Sequence, residues 1–155
     1  MNSRSKADCP GATGLEAQVF VAILKAADGL SGQAEQLMKA NGLTGAQYNV
    51  LRILRGAGPG GLACKGIGDR MITRDPDMTR LLDRLEKRSF ITRERQTHDR
   101  RVITTRITPE GLEILKKLDE PIDALHKKQF RHLTAAKLKA LAEALEEAFP
   151  AAIPE

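Results

Sequence analysis

From Leu15 onward, apolar residues recur at three- and four-residue spacing: Leu15, Val19, Ile23, Leu30 and Leu37, flanked by Phe20, Leu24 and Ala27. That period puts them on one face of a helix of about 25 residues. Gly29 and Gly32 lie inside it, each about 1 kcal/mol less favourable there than Ala, so a bend or a split is expected near them. Asn41-Gly42 ends the helix, because both tolerate the left-handed conformation found past a helix C-terminus. Thr44 and Gln47 then stand at capping-box spacing, with Leu43 and Tyr48 placed as a hydrophobic staple. A second helix is predicted from Gly45 to Arg55, burying Tyr48, Leu51 and Leu54 or their neighbours Val50 and Ile53. Residues 56–61, GAGPGG, read as loop. Between Leu62 and Met71 only Ile67 and Met71 share a helical face, and Gly66 and Gly68 lower the propensity. A short helix held by its neighbours is expected there.

Asp75 is expected to cap the next helix, with Pro76 in its first turn, where a missing N–H costs nothing. Met78, Leu81, Leu82 and Leu85 make its apolar stripe and leave Asp77, Thr79, Arg80, Asp83, Arg84 and Lys87 on the other side. Residues 91–95 and 101–107 read as paired strands around a polar turn from Gln96 to Arg100, with Ile103, Thr105 and Ile107 alternating with Val102, Thr104 and Arg106. Thr108 caps a helix that carries Leu112, Leu115, Leu118, Ile122 and Leu125, and a kink is expected at Pro121. Thr134 caps a last helix with Leu138, Leu141, Leu145 and Phe149, stopped by Pro150. Residues 1–13 have no periodicity and are expected to be disordered; residues 151–155 form a tail.

Two short helices followed by a hairpin describe a winged helix-turn-helix. The expected fold is therefore mainly α with a small β-hairpin wing: a lobe over residues 43–108, an N-terminal helix within 14–42 and C-terminal helices within 109–150. The outer helices carry more apolar surface than so small a lobe can cover. A two-fold homodimer would cover it, and would match two half-sites on duplex DNA about 34 to 36 Å apart.

Charge sharpens this picture. Residues 70–106 hold eleven basic side chains against six acidic ones, a surplus of five that equals the net +5 of all 155 residues. Ten of the eleven are Arg, whose planar fork suits phosphates and guanine edges. A solvated, salt-bridged face is the ordinary alternative for such a run. On the predicted recognition helix, Asp77, Thr79, Arg80 and Arg84 are the candidates for the major groove, although Arg84 could equally pair with Asp83 or another neighbour on the helix surface. Thr73 and Arg74, just before the helix, suit phosphates. In the hairpin the candidates are Arg95, Arg100 and Arg101; Asp99 could orient Arg101 for a narrow minor groove by charge-assisted hydrogen bonds, or simply form the turn.

The run LTGAQYNVLRIL, with GDRMITRDPDMTRLLDRLEKRSFITRERQTHDRRVITTRITPEGLEIL after it, resembles the MarR family of bacterial transcription regulators over residues 15 to 149. The most specific part is the ordered set Thr79-Arg80, Asp83-Arg84-Leu85-Glu86, Asp99-Arg100-Arg101, Thr108-Pro109 and Gly111. The resemblance implies a homodimer built by the first and last two helices, and a pseudo-palindromic double-stranded operator. It also implies Thr79, Arg80 and Arg84 in the major groove, with Arg101, oriented by Asp99, in the minor groove. Small anionic or phenolic effectors would bind between the dimer core and the DNA lobe. The chain departs from the usual pattern at Ala63-Cys64-Lys65-Gly66-Ile67-Gly68, where the family commonly has a polar cap and helix formers.

Other chemistries find less support. No apolar run approaches the roughly 18 residues of a membrane span, and the first residues lack a signal-peptide core, so a cytoplasmic protein with no membrane partner is expected. Cys64 beside Lys65, or Cys9 ahead of the first helix, could make a redox-sensing regulator, but two cysteines are not a disulfide framework. His98, His126 and His132 are scattered, so neither a metal nor another cofactor is expected. No phosphate loop, nucleophile elbow or paired catalytic acid suggests an enzyme. One Tyr, four Phe and no Trp make a poor stacking platform for single strands. A winged-helix module whose arginine face meets an acidic protein partner is the competing reading.

Overall fold

The predicted first helix forms as a single element, α1 (Leu15–Ala40), in a computed structural model that describes residues 14–96 and 102–150. It runs uninterrupted through Gly29 and Gly32, so the expected split is absent: two glycines cost less than a continuous 26-residue hydrogen-bond ladder returns. It ends as expected, with Gly42 at φ +73°. The Gly42 N–H donates to the Lys39 carbonyl and the Leu43 N–H to the Met38 carbonyl, both at 3.0 Å, the pairing of a Schellman motif.

The second helix, α2 (Gly45–Ala57), starts with both halves of the capping box. The Gln47 N–H donates to Thr44 Oγ1 at 3.2 Å, and the Thr44 N–H donates to Gln47 Oε1 at 3.0 Å. Leu43 and Tyr48, the two ends of the staple, are both buried. On its inner face Val50, Leu51 and Leu54 are fully buried.

Two expectations need correction after that. The stretch 62–71 is not one short helix: Leu62–Ala63 form a strand, β1, and only Cys64–Gly68 are helical, as α3. The strand forms because Gly61, at φ +67°, turns the chain against the hairpin; a Cβ there would collide with the Thr105 carbonyl. The helix capped after the turn is α4 (Met78–Lys87), and its cap is Asp77, not Asp75. The Arg80 N–H donates to Asp77 Oδ1 at 3.1 Å, while Asp75 Oδ1 accepts from the Asp77 N–H at 2.8 Å in a turn of its own. Pro76 therefore precedes the helix, inside the turn that the Asp75 carboxylate closes on the Asp77 N–H.

The wing strands are β2 (Ile91–Arg95) and β3 (Ile103–Ile107), paired antiparallel with Arg93 opposite Thr105. With β1 the order is β1-β3-β2, which makes β3 central. That position explains why the expected alternation fails: Thr104 and Thr105 are both buried and Ile103 is 40% exposed.

Then come α5 (Pro109–Phe130), continuous through Pro121, and α6 (Ala135–Ala148), each capped by the expected threonine. The core gathers Leu51, Leu54, Ile67, Leu82, Leu85, Ile91, Leu115 and Leu118 from five elements. By contrast, only Met38 of α1 and no residue of α6 is buried. Leu15, Val19, Phe20 and Leu24 on α1, with Leu141 and Leu145 on α6 and Phe149 just after it, stay exposed. Among the described residues no helix is long and apolar enough to cross a membrane.

Candidate nucleic-acid interface

The stripe that fixes the recognition helix is the one the sequence marked. Leu81, Leu82 and Leu85 of α4 are buried, which turns Thr79, Arg80, Asp83, Arg84 and Lys87 outward. Asp77 spends one carboxylate oxygen on the helix cap and lies 3.8 Å from Arg80 Nε through the other. Arg84 is exposed and makes no ion pair among the described residues, so the alternative of a surface pair with Asp83 is not seen. Thr73 and Arg74 are exposed in the turn ahead of α4.

Asp83 is engaged elsewhere. Arg93 of β2 reaches across to α4, where its Nε donates to Glu86 at 2.9 Å and its Nη2 contacts both Glu86 and Asp83 at 2.5 Å. The Arg93 side chain is 22% exposed. Hydrogen bonding to Glu86 first, then to Asp83, holds its pKa above the ordinary arginine value against the opposing effect of burial. The bonds join the wing to the recognition helix and cover two carboxylates that would otherwise face a polyanion bare.

Two further arginines of the basic stretch are structural. Arg106 Nε donates to the Pro59 carbonyl and its Nη1 pairs with Glu94 at 2.9 Å, tying β3 to the loop before β1. Arg88 bonds the Gly42 carbonyl and lies over the Phe90 ring, 4.6 Å from its centroid. The basic stretch thus divides: Arg88, Arg93 and Arg106 hold the lobe together, whereas Arg70, Arg74, Arg84, Lys87 and Arg95 are exposed without ion pairs among the described residues. The sequence reading did not separate these groups.

Asp99, Arg100 and Arg101 lie outside the described residues, as do His98, Cys9 and the two termini. Cys64 is exposed as the first residue of the five-residue α3.

Beside this face lies a cavity of about 410 Å³ between α1, α2, α5 and the turn before α4. Its wall includes Met38, Tyr48, Met71 and Ile122, with Glu35, Asn49, Arg52 and His126 as polar groups. Burial pushes the Tyr48 hydroxyl above its usual pKa, partly opposed by Arg52. Farther along α2, Arg55 forms two 2.9 Å bonds to Asp119 of α5, joining the lobe to the long C-terminal helix.

A helix-turn-helix with a three-stranded wing and an outward basic face defines a winged-helix DNA-binding protein. The MarR family profile matches residues 43–103. A crystal structure of a MarR transcription factor from Planctomyces limnophilus is 35% identical, with TM-score 0.68, over 86% of this chain and 96% of that one. A mutant MarR from E. coli complexed with operator DNA is 20% identical, with TM-score 0.77, over 89% of this chain and all of that one. The homoprotocatechuate degradative operon repressor of Escherichia coli is 24% identical over 127 residues, 82% of this chain and 84% of that protein. This chain belongs to the MarR family: it is a DNA-binding transcriptional regulator, not an enzyme.

Proposed function

We propose that the protein is a ligand-responsive repressor that acts as a homodimer on a pseudo-palindromic operator. The observation that carries this is the division of its surface. One side presents exposed arginines on a recognition helix clamped to its wing, and the other leaves the apolar faces of α1 and α6 uncovered. Leu15, Val19, Phe20, Ile23, Leu24 and Phe149 line one apolar groove. A second copy covers that groove and sets two lobes on one face of a duplex. The dimerising parts are then residues 14–42 and 109–150, and the DNA lobe is residues 43–108.

Thr79, Arg80 and Arg84 read base edges, with Asp77 fixing the start of their helix; Thr73 and Arg74 bind phosphates. Arg95 and Arg100 serve the backbone beside the wing, and Arg101, oriented by Asp99, enters the minor groove; the roles of Arg101 and Asp99 rest on the resemblance of the sequence, those of Arg95 and Arg100 on their place in the basic hairpin. The effector is a small anionic or phenolic molecule, and the cavity beside Tyr48, Arg52 and His126 suits it in size and chemistry. Selection of genomic fragments by the purified protein, followed by light scattering of the free protein, tests this reading. One recovered inverted-repeat sequence and a mass of two chains support it; a monomer without sequence preference contradicts it.

A further inference from the structure

Asn49 is an anomaly on α2. Asparagine is a poor residue for a helix interior, because its amide competes with the backbone for hydrogen bonds. Here it stands between Tyr48 and Val50, which are both buried, and is itself half-buried. A local cost of this kind points to a tertiary role.

That role is visible in its one bond. Asn49 Oδ1 accepts from the backbone N–H of Ile72 at 2.9 Å, across 23 positions of sequence. Ile72 opens the turn that leads through Thr73 and Arg74 to the cap of α4, and its side chain does not anchor that turn, being 85% exposed. Thr73 and Arg74 are exposed too. Farther on, Asp75 holds the Asp77 N–H and Asp77 holds Arg80. Among the described residues, the Asn49 bond is the only hydrogen bond on residues 72–74.

We propose that Asn49 is a positioning residue for DNA binding: its carbonyl holds the Ile72 amide so that Thr73 and Arg74 are presented to phosphates before DNA arrives. A turn already held in place loses less entropy on binding than a loose one. Asn49 also lines the cavity, together with Met71, Ile72 and Thr73, so this bond sits where cavity and DNA face meet. The inference rests on the reading of Thr73 and Arg74 as phosphate ligands, and the test separates the two.

The full-length protein, Asn49→Ala, Asn49→Asp and Arg74→Ala are titrated against the selected operator over a range of salt, with hydrogen exchange at the Ile72 amide. Arg74→Ala is expected to make the slope of log K against log salt shallower by about 1.8, one phosphate in each of the two subunits at about 0.9 each. Ala is the better helix former, so Asn49→Ala keeps α2 and the melting midpoint. It loses Ile72 protection, weakens operator binding about 25-fold, as expected for one hydrogen bond of about five-fold in each of the two subunits, and lowers the salt slope as well. Asn49→Asp keeps an acceptor and therefore keeps Ile72 protection and the slope. If Arg74→Ala leaves the slope unchanged, the phosphate reading of the turn fails and the proposal falls with it. If Arg74→Ala lowers the slope but Asn49→Ala binds as the unaltered protein does, the phosphate reading stands and Asn49 has no positioning role. Weakened binding by Asn49→Ala with Ile72 still protected overturns the proposal as well.

Discussion

Arg93 on the wing strand and Glu86 on the recognition helix are joined by a 2.9 Å bond from Arg93 Nε, and the same guanidinium reaches Asp83 one turn earlier. The two elements that meet DNA are thereby held at one angle. Arg93→Met removes the clamp and leaves two acidic side chains on the DNA face. Operator affinity should fall at least ten-fold, while stability drops by about 1 to 2 kcal/mol, less than for a fully buried pair. Adding Asp83→Asn and Glu86→Gln should recover part of the affinity, because the uncovered charges are then gone. Fluorescence anisotropy and thermal melts check both; the absence of any recovery would mean that Arg93 itself binds phosphate.

The Arg55–Asp119 pair joins the DNA lobe to α5 and carries a pH signature. Hydrogen bonding to Arg55 holds the Asp119 carboxyl below the ordinary carboxylate pKa, with burial opposing. A carboxyl whose folded-state pKa is lowered adds stability above its unfolded value, near 3.9, and loses it as pH falls through the folded value. The side chains are 36% and 48% exposed, so solvent screens the pair to about 1 kcal/mol or less. Asp119→Asn should melt lower than the parent protein at pH 7; the difference should start to shrink as pH falls below the ordinary carboxylate value, about 3.9, and vanish only below the lowered folded value.

Gly61 and Gly111 are both fixed by contact. A Cβ on Gly111 would collide with the Phe90 carbonyl, and one on Gly61 with the Thr105 carbonyl at a φ of +67°. Gly61→Ala should destabilise the lobe by about 1 to 3 kcal/mol through the strained conformation and the displaced β3. Denaturant midpoints check this, with Gly60→Ala, which meets nothing within 4 Å, as the comparison.

Phe20 is 62% exposed on α1. Phe20→Glu should shift the protein toward monomer in sedimentation and weaken operator binding, while leaving the far-UV helix signal of the lobe intact. A variant that remains dimeric would place the interface elsewhere.

Three of the helices, α2, α5 and α6, were legible at their starts because each carried its own punctuation. Thr44, Thr108 and Thr134 cap where the spacing required, and the stripe 81, 82 and 85 is buried as read. What failed depended on partners distant in sequence. Leu62-Ala63 is too short to announce a strand and becomes one only against Thr104 and Thr105. Asp75 and Asp77 are chemically equivalent caps, and only the path of the turn through Pro76 decides between them. The exposed basic face was visible as composition. Its separation into clamping arginines and free ones was not, because Arg93 and Arg106 find their acids across the fold. Asn49 went unnoticed for the same reason: its partner is a backbone amide 23 positions away.

The salt dependence of operator binding puts the DNA reading to the sharpest test. With arginines from two lobes on the phosphates, log K should fall linearly with log salt with a slope of about −4 or steeper, at about −0.9 per phosphate. Arg84→Ala should keep most of that slope but lose preference for the operator over an unrelated duplex, as expected of a side chain that reads a base. A flat slope, with no preference for any duplex, would contradict the assignment of the basic face to DNA.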